Sequence, residues 1–240
     1  MNVNALSSLK NNRDSVDGVL LFNKPVGFTS NDAVQKIKHL FCAKKVGHTG
    51  TLDPLASGLM IICFGRATKF FNELVSKQKS YVAQIILGEK RDTGDREGEV
   101  SQVSYHQPDL VDVRRAVYSF LGPVEQVVPS YSAVKRNGLP LYGWVRRGIP
   151  VERPRRQVDI NGIILSRYSY PVIDIIVYCG KGTYIRTLAE DIGSSLGCCA
   201  YLGQLTRTMV GRHRILHATH LKELELSSLE ERRAMLLQLY

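Results

Sequence analysis

The sequence of 240 residues predicts a mixed α+β fold, a largely antiparallel sheet flanked by helices, and three observations carry that expectation. Short apolar runs with strand character come in clusters, helical periodicities are spaced irregularly among them, and the strict strand-helix alternation of a parallel α/β sheet is absent. A composition of 44% apolar and 22% charged residues excludes fibrous and disordered chains. The apolar runs fall short of the roughly 20 residues that cross a bilayer. A chain of this length buries a large core, as one domain or two small ones, without disulfide staples. Its five cysteines form an odd set with no CxxC pair, which points to a reducing, cytoplasmic compartment.

Residues 1–17 are polar and predict a flexible tail. GVLLF at 18–22 has the character of a buried strand and is closed by the turn-forming NKPVG at 23–27. A helix follows, with Ser30 as its cap and Val34, Ile37 and Phe41 on one face. The Gly-punctuated KVGHTGTLDPLASG at 45–58 has neither period for most of its length and is expected as a structured loop feeding a strand at 59–64. Tyr81, Ala83, Ile85 and Leu87 share one face of a strand at 81–87, and 89–99 reads as a polar loop. A short helix at 109–120 and a buried strand at 172–178 come next. In the helix expected at 183–196, Ile185, Leu188, Ile192 and Leu196 recur at three and four residues. Leu205 belongs to an apolar strand, and Ser228 with Glu231 fits a capping box on a leucine-rich helix at 228–240.

The net charge of +10 favours a polyanionic partner. Much of it lies at 135–156, where Lys135, Arg136, Arg146, Arg147, Arg153, Arg155 and Arg156 face a single acid, Glu152, with Tyr131, Tyr142 and Trp144 nearby. Cations neutralise phosphates and aromatic faces stack on unpaired bases, so the stretch reads either as a nucleic-acid surface or as a solvated basic hairpin.

The segment 45–58 concentrates unusual residues. Gly47, Gly50 and Gly58 permit tight or left-handed backbone, and among them stand one imidazole, His48, and one carboxylate, Asp53, followed by Pro54. From the residues alone, Asp53 is either a reactive group or the cap of a helical turn whose first position is Pro54. His213, His217 and His220 have a helical spacing, but no cysteine or paired carboxylate completes a metal site there, so a basic or solvated segment is expected.

The stretch GVLLFNKPVGFTSNDAVQKIKHLFCAKKVGHTGTLDPLASGLMIICFGRATK at 18–69 resembles the opening of the TruB family of tRNA pseudouridine synthases. The likeness continues through KSYVAQIILG (79–88), DTGDREG (92–98), PSYSAVKRNG (129–138), GKGTYIRTLAEDIG (180–193) and LTRTMVG (205–211). It implies the pseudouridine synthase fold and isomerisation of a uridine, at position 55 in the T loop of tRNA, to pseudouridine. By the same resemblance Asp53 is the nucleophile, which adds to ribose or base or assists elimination to a glycal. Arg186 is its ionic partner, the plainer alternative being an exposed pair with Glu190 one helical turn on. Tyr81 stacks on the target base and can remove a ribose proton, His48 enters the space left by the flipped nucleotide, and Tyr184 and Leu205 contact that nucleotide. Lys135, Arg146, Arg147 and Arg156 would then bind the T arm. No metal, cofactor, membrane, guide RNA or protein partner is implied, and a monomer is expected.

The resemblance divides the chain into the tail 1–17, a catalytic domain at 18–215 with RNA-binding insertions, and a short helical extension at 216–240. Too few residues follow Gly211 for the RNA-binding PUA domain that many relatives carry. Thr206 stands where the family commonly has the first of two arginines, which leaves Arg207 and removes one RNA contact; Val128 and Arg91 are further departures. Two rival readings are a relative of the guide-RNA-dependent pseudouridine synthases and an RNA-binding or tRNA-folding chaperone module.

Overall fold

The apolar runs at 18–22 and 59–64 are unbroken for one physical reason: the strands they form are covered on both faces. In the computed structural model, which describes residues 15–238, the chain divides into two units, Met1–Lys77 with Arg207–Tyr240 and Gln78–Thr206. The first unit opens with β1 (Gly18–Lys24), α1 (Ser30–Leu40), β2 (Val46–Thr49) and β3 (Ala56–Phe64), then a 3-10 turn (Gly65–Phe70) and α2 (Phe71–Ser76). β1 runs antiparallel to β3 from Gly18 opposite Phe64 to Lys24 opposite Gly58. Leu20, Phe22, Met60, Ile62 and Phe64 pack on one face against Ala33, Val34, Ile37 and Phe41. Val19, Leu21, Leu59, Ile61 and Cys63 pack on the other with Ala67, Leu74 and Val210.

Several expectations change at element ends. The cap of α1 is Thr29, which forms a capping box with Asp32, so Ser30 is released for another task. Residues 46–49, expected as loop, form β2 because their backbone pairs with Ile61–Phe64 on the other edge of β3. Of the expected tail, residues 1–14 lie outside the described residues. Val16 is already buried, and Asp17 accepts from the Arg66 backbone and guanidinium, so this unit's packed chain starts before β1.

The second unit contains β4 (Lys79–Leu87), β5 (Glu89–Arg91), β6 (Val100–Val103), α3 (Leu110–Tyr118), β7 (Gly122–Val127), β8 (Lys135–Arg136), β9 (Leu139–Pro140), α4 (Leu141–Val145), β10 (Arg155–Ser169), β11 (Val172–Cys179) and α5 (Ile185–Ser195). The larger part of β12 (Ala200–Val210) also belongs to it. The sheet order here is β12-β4-β11-β10-β7. Tyr81, Ala83, Ile85 and Leu87 share the buried face, as their alternation predicts, while Val82 is exposed. In β11 only Ile173, Ile175, Val177 and Cys179 are buried, so that strand is covered on one face. The segment 89–99 is not all loop, because Glu89–Arg91 pairs with β6. β10, with fifteen residues, has no clear sequence signal: charged ends, a central Gly162 and register shifts at Ile160/Gly162 and Leu165/Arg167 break its alternation.

The chain then returns to the first unit through β13 (His213–Arg214), a 3-10 turn (Ile215–His217), β14 (Thr219–His220), α6 (Leu221–Leu226) and α7 (Leu229–Ala234). β14 lies parallel to β1, Leu224 enters the core, and Leu237 exchanges backbone hydrogen bonds with Val19. That edge pairing draws the backbone out of helical form, so the helix expected at 228–240 stops at Ala234 although its capping box forms. His213, His217 and His220 fall on a strand, a turn and a second strand, not on one helical face.

Gly58 sits at a close backbone-to-backbone approach in the first unit. Its φ is +109°, and a Cβ there would lie 2.4 Å from the Arg207 carbonyl oxygen and 2.7 Å from its nitrogen. Gly58→Ala is therefore expected to destabilise the protein by at least the 1–3 kcal/mol, roughly, that a disfavoured backbone conformation costs. Denaturant unfolding of the variant checks this.

Candidate active site

Asp53 sits on an irregular segment with little ladder of its own, and three separate anchors hold it. Asp53 O accepts from Ala56 N at 3.0 Å, which closes a β-turn with Pro54 at its second position, where the fixed φ of proline fits. This is a turn between strands and not the start of a helix, which corrects the capping alternative. Leu52 and Leu55 are buried on either side of the half-buried Asp53 and peg the turn into the core.

The first anchor is Ser30, freed from capping. Its Oγ accepts from Leu52 N at 2.8 Å and donates to Leu52 O at 2.9 Å, both in a buried environment. The second is Gly27, whose N–H donates to Pro54 O at 2.8 Å. The turn carrying Gly27 is braced in its own right by the buried Lys24, whose Nζ donates to Pro25 O and Phe28 O. The third is Arg207, 1% exposed, which donates to Leu59 O at 2.7 Å, Gly50 O at 3.0 Å and Thr51 O at 3.4 Å. Its side chain is turned into the protein, away from solvent. His48 lies on β2, half-buried. Burial holds its imidazole below the ordinary histidine pKa, against a Gly50 backbone hydrogen bond that raises it, and the Arg207 charge adds to the lowering. The ring is neutral at pH 7.

Tyr81, Tyr184, Arg186, Leu205 and the basic residues belong to the second unit. Tyr81 is buried on β4 opposite Val177, and Leu205 is buried on β12. Tyr184 is the residue before α5. Its N–H donates to Gln126 Oε1 at 2.9 Å and its carbonyl accepts from Gln126 Nε2 at 3.1 Å, so one fully buried amide fixes the start of the helix. Arg186 follows in the first turn, 5% exposed, which overturns the exposed-pair alternative. It donates to Thr93 O at 2.9 Å and Tyr131 O at 2.8 Å, and its Nε lies 3.7 Å from Asp95 Oδ2. Asp95 is itself buried and accepts from Thr93 Oγ1 and Glu97 N. Glu190, the partner considered from sequence, is a mostly buried carboxyl that burial pushes upward.

The basic stretch is a hairpin followed by a short helix. Asn137 and Gly138, both at positive φ, make the two-residue turn between β8 and β9 that leaves Lys135 exposed. Arg146 and Arg147 are exposed just after α4, with Arg146 stacked 5.5 Å from the Tyr142 ring. Arg136 and Arg155 are engaged by Glu152 and Glu125. Arg156 is half-buried with its guanidinium 5.8 Å from the Tyr184 ring, so within this unit the basic stretch reaches the start of α5.

A family model for the N-terminal domain of TruB family pseudouridylate synthases matches residues 38–185. The chain belongs to the TruB family of pseudouridylate synthases. It is 50% identical over 224 residues to a tRNA pseudouridine synthase B of Burkholderia mallei, covering 93% of this chain and 74% of that protein. It is 48% identical over 229 residues to the protein of the same name from Thiobacillus denitrificans, covering 95% and 77%. Among solved structures, a chain of a Cbf5-Nop10-Gar1 complex superposes with a TM-score of 0.68 at 27% identity over 85% of this chain and 52% of its own length. TruB membership thus agrees with the α+β expectation and with the motif resemblance.

Within this TruB-family chain, sequence reasoning missed the supporting residues. Ser30 carried only a capping signal, and Gln126 carried none. Asp95 lay within a matched block without an assigned part. Ser30→Ala should strand both polar groups of Leu52 and cost about 1–3 kcal/mol, while the Thr29 cap keeps α1 intact. Denaturant unfolding together with faster amide exchange at 50–55 checks this.

Proposed function

We propose that the protein isomerises the uridine at position 55 in the T loop of tRNA to pseudouridine, with Asp53 as nucleophile. The observation that carries this reading is the extended identity to proteins named tRNA pseudouridine synthase B, together with the three-point bracing of the one turn that bears Asp53. The reaction breaks the bond between ribose C1′ and N1, turns the uracil, and joins C5 to C1′. The C5 proton leaves and N1 takes one up, so atoms and electrons balance. Attack on ribose or base and assisted elimination all ask for an ionised carboxylate on a rigid support.

Arg186 is the cation that keeps the nucleophile ionised. Two carbonyls and Asp95 already orient its guanidinium, so little reorganisation is left for the moment of reaction. Tyr81 stacks on the extruded base, Tyr184 and Leu205 flank it, and neutral His48 takes the space in the T loop, where a desolvated imidazolium would be costly. Lys135, Arg146, Arg147 and Arg156 hold the T arm by its phosphates. The enzyme acts without a guide RNA, as a monomer, in the cytoplasm. Relatives at about half identity named for tRNA support the guide-free reading over the more distant likeness to a Cbf5 complex. No helix among the described residues is long and apolar enough to cross a membrane.

Wild-type protein incubated with unmodified tRNA transcript and no guide is expected to place pseudouridine in the T loop, and Asp53→Asn to place none. Mapping by nucleotide decides it, and equal product from both proteins would refute the mechanism. Arg186→Ala should lower kcat by at least about 100-fold, the scale seen when one electrostatic group is removed from a reacting centre, with tRNA affinity within a few-fold. Arg146→Glu with Arg147→Glu should weaken binding and reduce the slope of log affinity against log salt by about 0.9 for each phosphate no longer neutralised. An unchanged slope would remove this surface from the interface.

A further inference from the structure

Arg207 presents an energetic problem that the reaction as described does not use. It is 1% exposed, and among the described residues its hydrogen-bond partners are three main-chain carbonyls and no carboxylate. A buried cation without a counter-ion is costly, even when hydrogen-bonded. Uncharged side chains could satisfy one or two carbonyls without that cost, so the position of the three acceptors is informative. Gly50 and Thr51 lie before Asp53 in the chain, and Leu59 lies after it on β3. The planar guanidinium reaches both sides at once from three nitrogens at fixed angles, whereas a lysine donates from a single nitrogen and an amide offers only two N–H groups on one nitrogen. The backbone makes room for it: Gly58 allows β12 to approach β3 so closely that a Cβ would meet the Arg207 main chain.

We propose that Arg207 is a positioning residue for the nucleophile, clamping the two ends of the segment 50–59 so that Asp53 is presented in one fixed direction. The inference rests on the assignment of Asp53 as nucleophile. It gives Arg207 a part that acts through the main chain of the Asp53 segment. Gly50, at φ +85°, turns its carbonyl inward toward the clamp, so the left-handed backbone and the guanidinium act as one device.

The test uses the full chain with Arg207→Lys and Arg207→Gln, each checked for the native circular-dichroism spectrum. Both should keep tRNA affinity within about threefold and show kcat reduced by about 10- to 100-fold, the cost typical of a misplacement near 1 Å. Deuterium exchange of the peptide 47–55, measured without RNA, should quicken in both. A native-like variant with unchanged kcat overturns the proposal, as does a fall in kcat matched by an equal fall in tRNA affinity, which would return Arg207 to phosphate binding. Loss of the native spectrum in both variants makes Arg207 a folding residue and overturns it too. Inactive wild-type protein would count against the pseudouridine synthase reading alone, since the exchange measurement still reports the clamp.

Discussion

A buried backbone outside a strand ladder must find partners for each N–H and C=O, and the segment around Asp53, pegged by the buried Leu52 and Leu55, makes that demand in the first unit. The surrounding elements are placed to meet it. β1 ends in a turn whose Gly27 N–H reaches Pro54, and the buried Lys24 holds that turn. α1 is capped by Thr29, one residue before the serine that could have capped it, so Ser30 can close both polar groups of Leu52. β12 approaches β3 where only glycine fits, and delivers Arg207 beneath the loop. Rigidity of this kind is what a nucleophilic carboxylate needs, since its reach to a reacting atom is set by the backbone that carries it.

The second unit solves a related problem with charge. Arg186 stands in the first turn of α5, where the helix dipole is positive and a cation is disfavoured. It is also buried, which adds desolvation cost. Both costs are offset locally by two carbonyls and the nearby Asp95. The same helix start is secured by Gln126, which pairs with both backbone groups of Tyr184. A guanidinium held at an electrostatically poor place by dedicated partners is characteristic of a residue kept for its chemistry, because stability alone would favour an apolar side chain there.

Most regular elements were legible because their period is written in side chains: the two-face burial of β1 and β3, the alternating face of β4, and the helices with three- and four-residue spacing. β10 was not, because its bulges and charged ends erase alternation and its strand form comes from pairing with β11 and β7. β2 was hidden for the opposite reason, four residues inside a glycine-rich stretch that become a strand only because β3 offers an edge.

Asp53, His48, Tyr81, Arg186, Tyr184 and Leu205 stood out from their motifs, and the family followed from the order of those motifs along the chain. The sequence by itself determined the fold class and the family, since those depend on residue types at fixed spacings, and the family resemblance nominated the candidate site residues. Only the tertiary structure decided which residues brace the segments that carry those candidates. Ser30, Gln126 and Arg207 act on carbonyls and N–H groups that are 22, 58 and about 150 residues distant. Main-chain polar groups are the same at every position, so no pattern in the sequence marks which of them a distant side chain will meet.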